Sequence, residues 1–191
     1  AMDDAITYPT RSLSRTAVVL ARRLLDRAGG EEEQAALNLS LGARYSDVGR
    51  WRDARLVTER AVEILRKLAE RDRDSHLPEL AMAVGNLGSC LAQVGEIDEA
   101  LNATYEAVGL YRDLVDRNRD QYLPALARSL TNLCACLSRS GRGSAALGAA
   151  GQAVVIYREL VHLRPDAYLA ELAAADHNWR VCRAALGQGM S

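Results

Sequence analysis

The sequence predicts an all-α fold in which pairs of antiparallel helices stack into a solenoid. Two observations support this prediction. A unit of 46 residues repeats along the chain, and apolar residues within each unit recur at helical spacing, without the alternation that marks strands. One helix pair cannot bury its apolar stripe alone, but stacked pairs bury a continuous core. We therefore expect about eight helices that form a concave and a convex face.

The repeat appears when the sequence is shifted along itself by 46 residues. Single columns then hold only glycine, only alanine or mostly asparagine, and the segments HLPELA (76–81), YLPALA (122–127) and YLAELA (168–173) coincide. The register needs no gap from residue 31 to residue 187. It divides the chain into an N-terminal half repeat (11–30), three repeats (31–76, 77–122 and 123–168) and a C-terminal capping helix (169–187).

Each unit is predicted to hold two amphipathic helices. The first begins near the Leu-Pro dipeptide of YLPALA, because proline suits a first helical turn. It ends at the column glycine, which is Gly49, Gly95, Gly141 or Gly187. The charged segments 71–74 and 117–120 between helices are predicted to be solvated turns. The predicted helices span roughly 11–28, 31–48, 51–70, 77–94, 97–117, 123–140, 143–163 and 168–186.

The two ends of the array are predicted to differ. In the last helix, columns that are apolar or small inside the array carry Asp176, Arg180 and Arg183. A helix that faces water at the end of a solenoid should become polar in this way. The N-terminal end begins in the middle of a unit with an apolar helix, so we expect an upstream partner for it.

These columns resemble the tetratricopeptide repeat (TPR), which has a Leu-Gly pair, an aromatic residue, a turn glycine and small residues on the second helix. The first unit has Leu41, Gly42, Tyr45, Gly49, Ala54 and Ala61 at these positions. The unit is longer than the usual ~34 residues and resembles the long repeats of actinobacterial arrays. The resemblance implies a right-handed superhelix, acting as a non-catalytic scaffold that binds an extended segment of a partner protein in its concave groove. Two alternatives stay open. One is a sensor or regulatory array that packs on a neighbouring domain of a larger switch protein. The other is self-association through the N-terminal end.

The asparagine column is the main candidate for binding. It holds Ser40, Asn86, Asn132 and Asn178. In the family, asparagines of this column hold the backbone of an extended peptide, since an amide carries both a donor and an acceptor. The alternative is that they link adjacent units or are solvated. Further groove residues are predicted by helical spacing: Asp47, Met82, Ser89, Gln93, Arg128, Thr131, Arg139 and His177.

The two arginines of this set, Arg128 and Arg139, are predicted either to meet acidic groups of a ligand or to be solvated surface residues. They lie about three turns apart on one predicted helix.

The four cysteines are predicted to pack in the core rather than to bind a metal or take part in redox chemistry. Cys90, Cys136 and Cys182 share one column, and Cys134 lies in a column that holds glycine in the earlier units. Cysteine behaves as a small apolar residue in such places. On a helix, residues 134 and 136 point about 200° apart and would not ligate one ion together. The opening residues do not resemble a signal peptide, so we expect reduced thiols in a cytoplasm, without a cofactor.

Charge and composition limit the classes of function. The 24 basic and 25 acidic residues give a formal net charge of −1. A protein that binds nucleic acid or a membrane surface would need an excess of basic residues. No run of about 18 apolar residues predicts a membrane span. The three histidines are scattered, and neither a nucleophile nor a Gly-rich phosphate loop accompanies them, so the sequence does not predict an enzyme.

Overall fold

The computed structural model describes residues 28–188, together with Val19 and Arg23. Seven α-helices and no strand lie in this part of the chain, and none of the helices is long and apolar enough to cross a membrane. Apart from Val19, Arg23 and Ala28, the helix predicted at 11–28 lies outside the described residues. The seven helices are α1 (Glu31–Asp47), α2 (Trp51–Arg71), α3 (Arg73–Val94), α4 (Ile97–Arg117), α5 (Arg119–Arg139), α6 (Gly143–Leu163) and α7 (Pro165–Gln188).

The chain divides between Gly95 and Glu96 into two compact units. Unit 1 contains α1 to α3, and unit 2 contains α4 to α7. Within each unit the helices pack in chain order: α1 on α2 and α2 on α3 in unit 1, then α4 on α5, α5 on α6 and α6 on α7 in unit 2. Packing between successive helices is typical of a repeat array.

Alanine fills the contacts between helices in both units. Ala54 and Ala61 of α2 have no exposed surface, and the same is true of Ala146 and Ala153 of α6. Because small side chains reduce the distance at which two helix axes can pack, these columns allow close approach of neighbouring helices. Leucines such as Leu65 then fill the space between them.

The column glycines Gly49, Gly95 and Gly141 follow the first helices, as predicted. Their φ angles are 73°, 94° and 74°. This left-handed conformation favours glycine, because a Cβ atom would be strained there. After α5, the Arg142 N–H donates to the Leu137 carbonyl at 2.9 Å, which satisfies a carbonyl of the last turn.

Three helices begin earlier than the sequence pattern predicts. Helix α3 begins at residue 73 rather than 77, α5 at 119 rather than 123, and α7 at 165 rather than 168. Helix α7 also runs past Gly187 instead of ending before it. Pro78 and Pro124 therefore lie in the second turns of their helices. The prediction that proline marks the first turn was wrong at both sites.

Side-chain caps explain the earlier starts of α3 and α5. Asp72 Oδ1 accepts a hydrogen bond from the Ser75 N–H at 3.2 Å, and Asn118 Oδ1 accepts one from the Gln121 N–H at 3.3 Å. Each bond satisfies an N–H group of a first turn that has no partner within the helix. The segments 71–74 and 117–120, predicted to be solvated turns, are consequently helix ends and helix starts.

A single residue joins two helices at three places in the chain. These joints are Asp72, Asn118 and Arg164, with φ/ψ angles of −144°/91°, −148°/90° and −145°/81°. The nearly identical angles show that the three joints share one backbone geometry, although their side chains differ.

The exposed side of α7 carries both an ion pair and apolar side chains, Leu169 and Val181 among them. Asp176 and Arg180 form an ion pair there. Leu169, by contrast, is 54% exposed, whereas Leu123 at the same register position in α5 is 3% exposed. The first turns of α7 thus keep the apolar pattern of an interior helix.

Candidate partner-binding face

The residues predicted to bind a partner all lie on α1, α3, α5 and α7, the first helices of the repeats. We call the sides of these helices that carry them the first-helix faces and describe them separately for each unit. The face of unit 1 carries Ser40, Asp47, Met82, Asn86, Ser89 and Gln93. The face of unit 2 carries Arg128, Thr131, Asn132, Arg139, His177 and Asn178.

The face of unit 1 is accessible along α3. Met82, Asn86 and Gln93 lie at the surface there, and their spacing of four and seven residues places them on one side of the helix. Ser89 is half-buried, and its hydroxyl donates to the Gly85 carbonyl at 3.1 Å. On α1, Ser40 and Asp47 are exposed.

The face of unit 2 is accessible along α5 and α7. Arg128, Arg139 and His177 reach the surface, whereas Asn132 and Asn178 are half-buried. Thr131 is also half-buried, and its hydroxyl donates to the Ala127 carbonyl at 3.0 Å. The face therefore offers charged and amide groups to a ligand.

Two tyrosines lie next to this face and were not predicted as site residues. Tyr111 of α4 and Tyr157 of α6 are each 5% exposed. Burial is the main cause that raises the pKa of both phenols. The Tyr111 hydroxyl lies beside the Arg128 side chain, and the Tyr157 hydroxyl lies beside Thr131. Both phenols therefore remain protonated at neutral pH, with their oxygens at α5.

The charges around these hydroxyls belong to α5 and α7. Arg128 acts on both phenols and lowers their pKa, and Glu171 of α7 raises the pKa of Tyr157. Within the described part of the chain, Arg128 forms no ion pair with a carboxylate. Its neighbours at α4 and α6 are neutral phenol groups, which leave most of its N–H donors for another group.

The cysteines are buried, free thiols, and one contact among them crosses the repeat register. Cys134 Sγ lies 3.7 Å from Cys182 Sγ, and the Ser138 hydroxyl lies 3.5 Å from Cys182 Sγ. Burial, followed by the contact with Cys182, raises the pKa of Cys134 to about 11. No group of three potential metal ligands from His, Cys, Asp or Glu occurs among the described residues.

Comparison with known proteins identifies the fold. No family model matches the chain, and no curated protein matches it. Solved structures do match. The crystal structure of BtubC (BKLC) from P. vanneervenii has a TM-score of 0.76 and 19% identity, and the match covers 94% of this chain and 68% of that one. A putative kinesin light chain of Podosopora anserina with nearly identical TPR-like repeats has a TM-score of 0.73 and 20% identity, over 96% of this chain and 84% of that one.

A third structure, the apo form of RapI, has a TM-score of 0.73 and 14% identity, and the match covers 91% of this chain and 57% of that one. Identities of this size establish the fold and leave the function open. The chain has a TPR-like helical-repeat fold. The predicted all-α, TPR-like solenoid class is confirmed by the helix order and by these matches.

Proposed function

We propose that this chain is a non-catalytic interaction module whose first-helix faces bind an extended segment of a partner protein. The observation that carries the proposal is the recurrence of asparagine at one register position of successive first helices. Asn86 lies on α3, Asn132 on α5 and Asn178 on α7. Each amide can donate to a peptide carbonyl and accept from a peptide N–H, so it can hold a backbone without reading its side chains.

The remaining residues of the faces would set the preference for particular partners. Met82 on α3 offers a flexible apolar contact, and Arg128 and His177 offer charge or hydrogen bonds. Mixed apolar and polar groups of this kind are typical of surfaces that bind peptides by their backbone and select them by their side chains.

Selection from a displayed library of random peptides would test the proposal. Peptides of roughly 12 residues span about 40 Å when extended, enough to lie along one first-helix face. We expect the protein to enrich peptides whose affinity falls about tenfold in Asn132→Ala, since a lost pair of hydrogen bonds is worth roughly 1–2 kcal/mol. Asn86→Ala should act in the same direction.

Asn102→Ala is the matched control, because Asn102 is an exposed asparagine on the second helix α4 of the same unit as Asn132. It should leave peptide affinity unchanged. If no peptide were enriched, or if Asn132→Ala and Asn102→Ala bound every peptide equally well, the proposed role of the asparagine column would be wrong.

A second candidate function is a regulatory array that packs on a neighbouring domain of a longer protein. The observation that favours it is the exposed Leu169, whose register equivalent Leu123 is buried. Hydrogen exchange over residues 165–175 would test it. Stronger protection in a longer protein that carries this chain than in the chain alone is expected, whereas equal protection in the two would contradict domain packing.

A further inference from the structure

We infer that Cys134 of α5 and Cys182 of α7 form a disulfide bond when unit 2 folds in the presence of a low-molecular-weight disulfide, for which oxidised glutathione serves as the probe. The bond joins α7 covalently to α5. It gives these two cysteines a role beyond the core packing that the sequence predicts, and it does not depend on the proposed binding of a peptide.

The two sulfur atoms lie close to bonding distance. Cys134 Sγ is 3.7 Å from Cys182 Sγ, and the helices α5 and α7 are themselves in contact. A disulfide bond is about 2.05 Å long, so each sulfur atom has to move by less than about 1 Å. Rotation of a side chain about χ1 moves its sulfur atom while the backbone stays in place. The fold therefore already holds the pair in a position from which the bond can close.

The other two cysteines face hydroxyl groups instead of a thiol. Cys90 Sγ lies 3.9 Å from the Ser46 hydroxyl, and Cys136 Sγ lies 4.0 Å from the Thr104 hydroxyl. Cys136 cannot take the place of Cys134, because residues two positions apart on a helix point about 200° away from each other. The described contacts therefore select one pairing among the four cysteines.

Unit 1 contains the same site without the second thiol. The contact of the Ser46 hydroxyl with Cys90 Sγ in unit 1 recurs 92 residues further on, where the Ser138 hydroxyl lies 3.5 Å from Cys182 Sγ. The third position of the site is Gly42 in unit 1 and the second cysteine of the pair in unit 2. The helices pack in both units, so packing does not require a thiol at this position.

Formation of the bond is a thiol–disulfide exchange in two steps. The thiolate of one cysteine attacks a sulfur atom of oxidised glutathione, forms a mixed disulfide and releases one glutathione thiolate. The other cysteine then loses its proton, attacks the protein sulfur atom of the mixed disulfide and displaces the second glutathione thiolate. Two protein thiols are thereby oxidised to one disulfide, one glutathione disulfide is reduced, and the two protons end on the two released glutathione molecules.

Burial decides when the first step takes place. Cys134 is 2% exposed and Cys182 is 8% exposed, so glutathione does not reach either sulfur atom once α7 has packed. The mixed disulfide therefore forms while α7 is still apart from α5, and the packing of α7 then brings the second thiol to it. The finished bond is shielded from reductants by the same burial.

Refolding in a glutathione buffer tests the inference. The chain is reduced and unfolded in urea, diluted at about pH 8 into reduced and oxidised glutathione, and quenched with acid. The remaining thiols are then alkylated in urea, and mass spectrometry maps the bonds. We expect one intramolecular bond, between residues 134 and 182, with Cys90 and Cys136 alkylated. Exchange in urea should favour this bond at least about tenfold less, because the unfolded chain does not hold the two thiols together.

Single substitutions identify the thiols that take part. Cys134→Ala and Cys182→Ala should each abolish the bond, whereas Cys90→Ala and Cys136→Ala should form it to the same extent as the wild-type protein. Circular dichroism checks that all four variants fold. In the wild-type protein, the oxidised form should unfold at a higher urea concentration than the reduced form, because the bond restricts the unfolded chain.

Unit 1 offers a gain-of-function variant. Gly42→Cys combined with Thr58→Ala gives unit 1 the residues that unit 2 has at these positions. Thr58 has to be shortened, because a Cβ atom at residue 42 would lie 2.6 Å from its Oγ1. This double variant should form a second bond, between residue 42 and Cys90, under the same refolding conditions. A folded double variant without that bond would contradict the inference, because the shared geometry would then not be the cause of pairing.

Three results with the wild-type chain would overturn the inference. They are the absence of the bond between residues 134 and 182 after refolding, a mixture of several pairings, and an exchange equilibrium that is equally favourable in buffer and in urea. None of these results bears on peptide binding, which the displayed library tests separately.

Discussion

Gly42 of α1 lies directly against Thr58 of α2, so that a Cβ atom at residue 42 would be only 2.6 Å from Thr58 Oγ1. Both residues are buried. In unit 2 the corresponding residues are Cys134 on α5 and Ala150 on α6, each 92 positions further along. The larger side chain thus belongs to the second helix of the pair in unit 1 and to the first helix in unit 2. In both units the contact is filled and the helices pack closely.

This contact predicts that Gly42→Ala destabilises the protein, although alanine favours helices. Overpacking a filled contact costs roughly 1–3 kcal/mol, which exceeds the gain in helix propensity of about 1 kcal/mol. The measurement is the free energy of unfolding in urea. Gly42→Ala combined with Thr58→Ala should be more stable than the sum of the two single effects predicts, because the second change removes the atom that the new methyl group meets.

The matched control is Gly109→Ala. Gly109 lies inside α4, and a methyl group added to its Cα would have no atom of another residue within 4 Å, its chain neighbours and its own helix backbone aside. The substitution should stabilise the protein by up to about 1 kcal/mol. Equal effects of Gly42→Ala and Gly109→Ala would show that the close approach of α1 and α2 is not the cause.

The buried thiols predict low chemical reactivity of the folded protein. The thiolate is the reactive form, and burial together with Cys182 raises the pKa of Cys134 to about 11. We expect none of the four cysteines to react with iodoacetamide at pH 7 until urea unfolds the chain. Mass spectrometry counts the modified residues. Rapid labelling of Cys134 or Cys182 in the folded protein would contradict this packing.

The same thiol predicts a loss of stability at alkaline pH. In the unfolded chain the Cys134 thiol ionises near its ordinary pKa of 9.0, whereas in the folded protein its pKa is raised to about 11. Between these values the folded state binds more protons, so the free energy of unfolding falls as the pH rises. Cys134→Ala should weaken this fall between about pH 9 and 11. If the free energy of unfolding of Cys134→Ala fell with the same slope as that of the wild-type protein, the alkaline loss of stability would come from other ionisable groups.

Leu123 and Leu169 predict unequal effects of one substitution at the same register position. Leu123→Ala should cost about 2–5 kcal/mol, because it removes a side chain that is 3% exposed and leaves a cavity. Leu169→Ala should cost well under about 1 kcal/mol, because that side chain is 54% exposed. Urea unfolding of both variants compares them. Similar costs would mean that Leu169 is covered in solution.

The cap of α3 predicts an acid-dependent stability that the cap of α5 lacks. The hydrogen bonds from the Ser75 hydroxyl and N–H lower the pKa of Asp72 below its ordinary value of 3.8. The carboxylate therefore stabilises the folded state above that value, and the stabilisation is lost as the pH falls through the lower, folded pKa. Asp72→Asn keeps a cap of the kind found at Asn118, but this cap does not titrate.

We expect the wild-type protein to be more stable than Asp72→Asn at pH 7 and to lose this advantage progressively below about pH 4. Unfolding in urea at a series of pH values measures the difference. Asn118→Asp should introduce a similar acid dependence at α5. If the free energy of unfolding had the same pH dependence in the wild-type protein and in Asp72→Asn, the ionised Asp72 cap would not contribute to stability.

The repeat is readable from the sequence because every unit uses the same small residues at the same places. Glycine and alanine columns mark the turns and the helix contacts, and both lie where the register predicts them. The helix starts are less readable, because the proline of YLPALA lies one turn inside its helix. The cap at Asn118 depends on a hydrogen bond that spacing alone does not reveal.

The site is less readable than the fold. Tyr111 falls in the apolar stripe of its helix, so periodicity predicts a buried ring but says nothing of its hydroxyl, whose pKa burial raises and Arg128 lowers. The contact of Cys134 with Cys182 spans 48 residues and therefore breaks the register of 46 that pairs Cys182 with Cys136. Such contacts depend on how far side chains extend between neighbouring helices, and an alignment of repeat columns gives no information about that distance.

The one-residue joints at Asp72, Asn118 and Arg164 have a consequence for building and altering such arrays. Only two backbone torsions separate the helices of each hairpin, so the angle between those helices is copied wherever the torsions are copied. Proline is excluded there, because its ring fixes φ near about −65°. Residues as different as aspartate, asparagine and arginine are accepted. The hairpin can therefore be transplanted as a unit of fixed shape, with aspartate or asparagine at the joint where the following helix needs a side-chain cap.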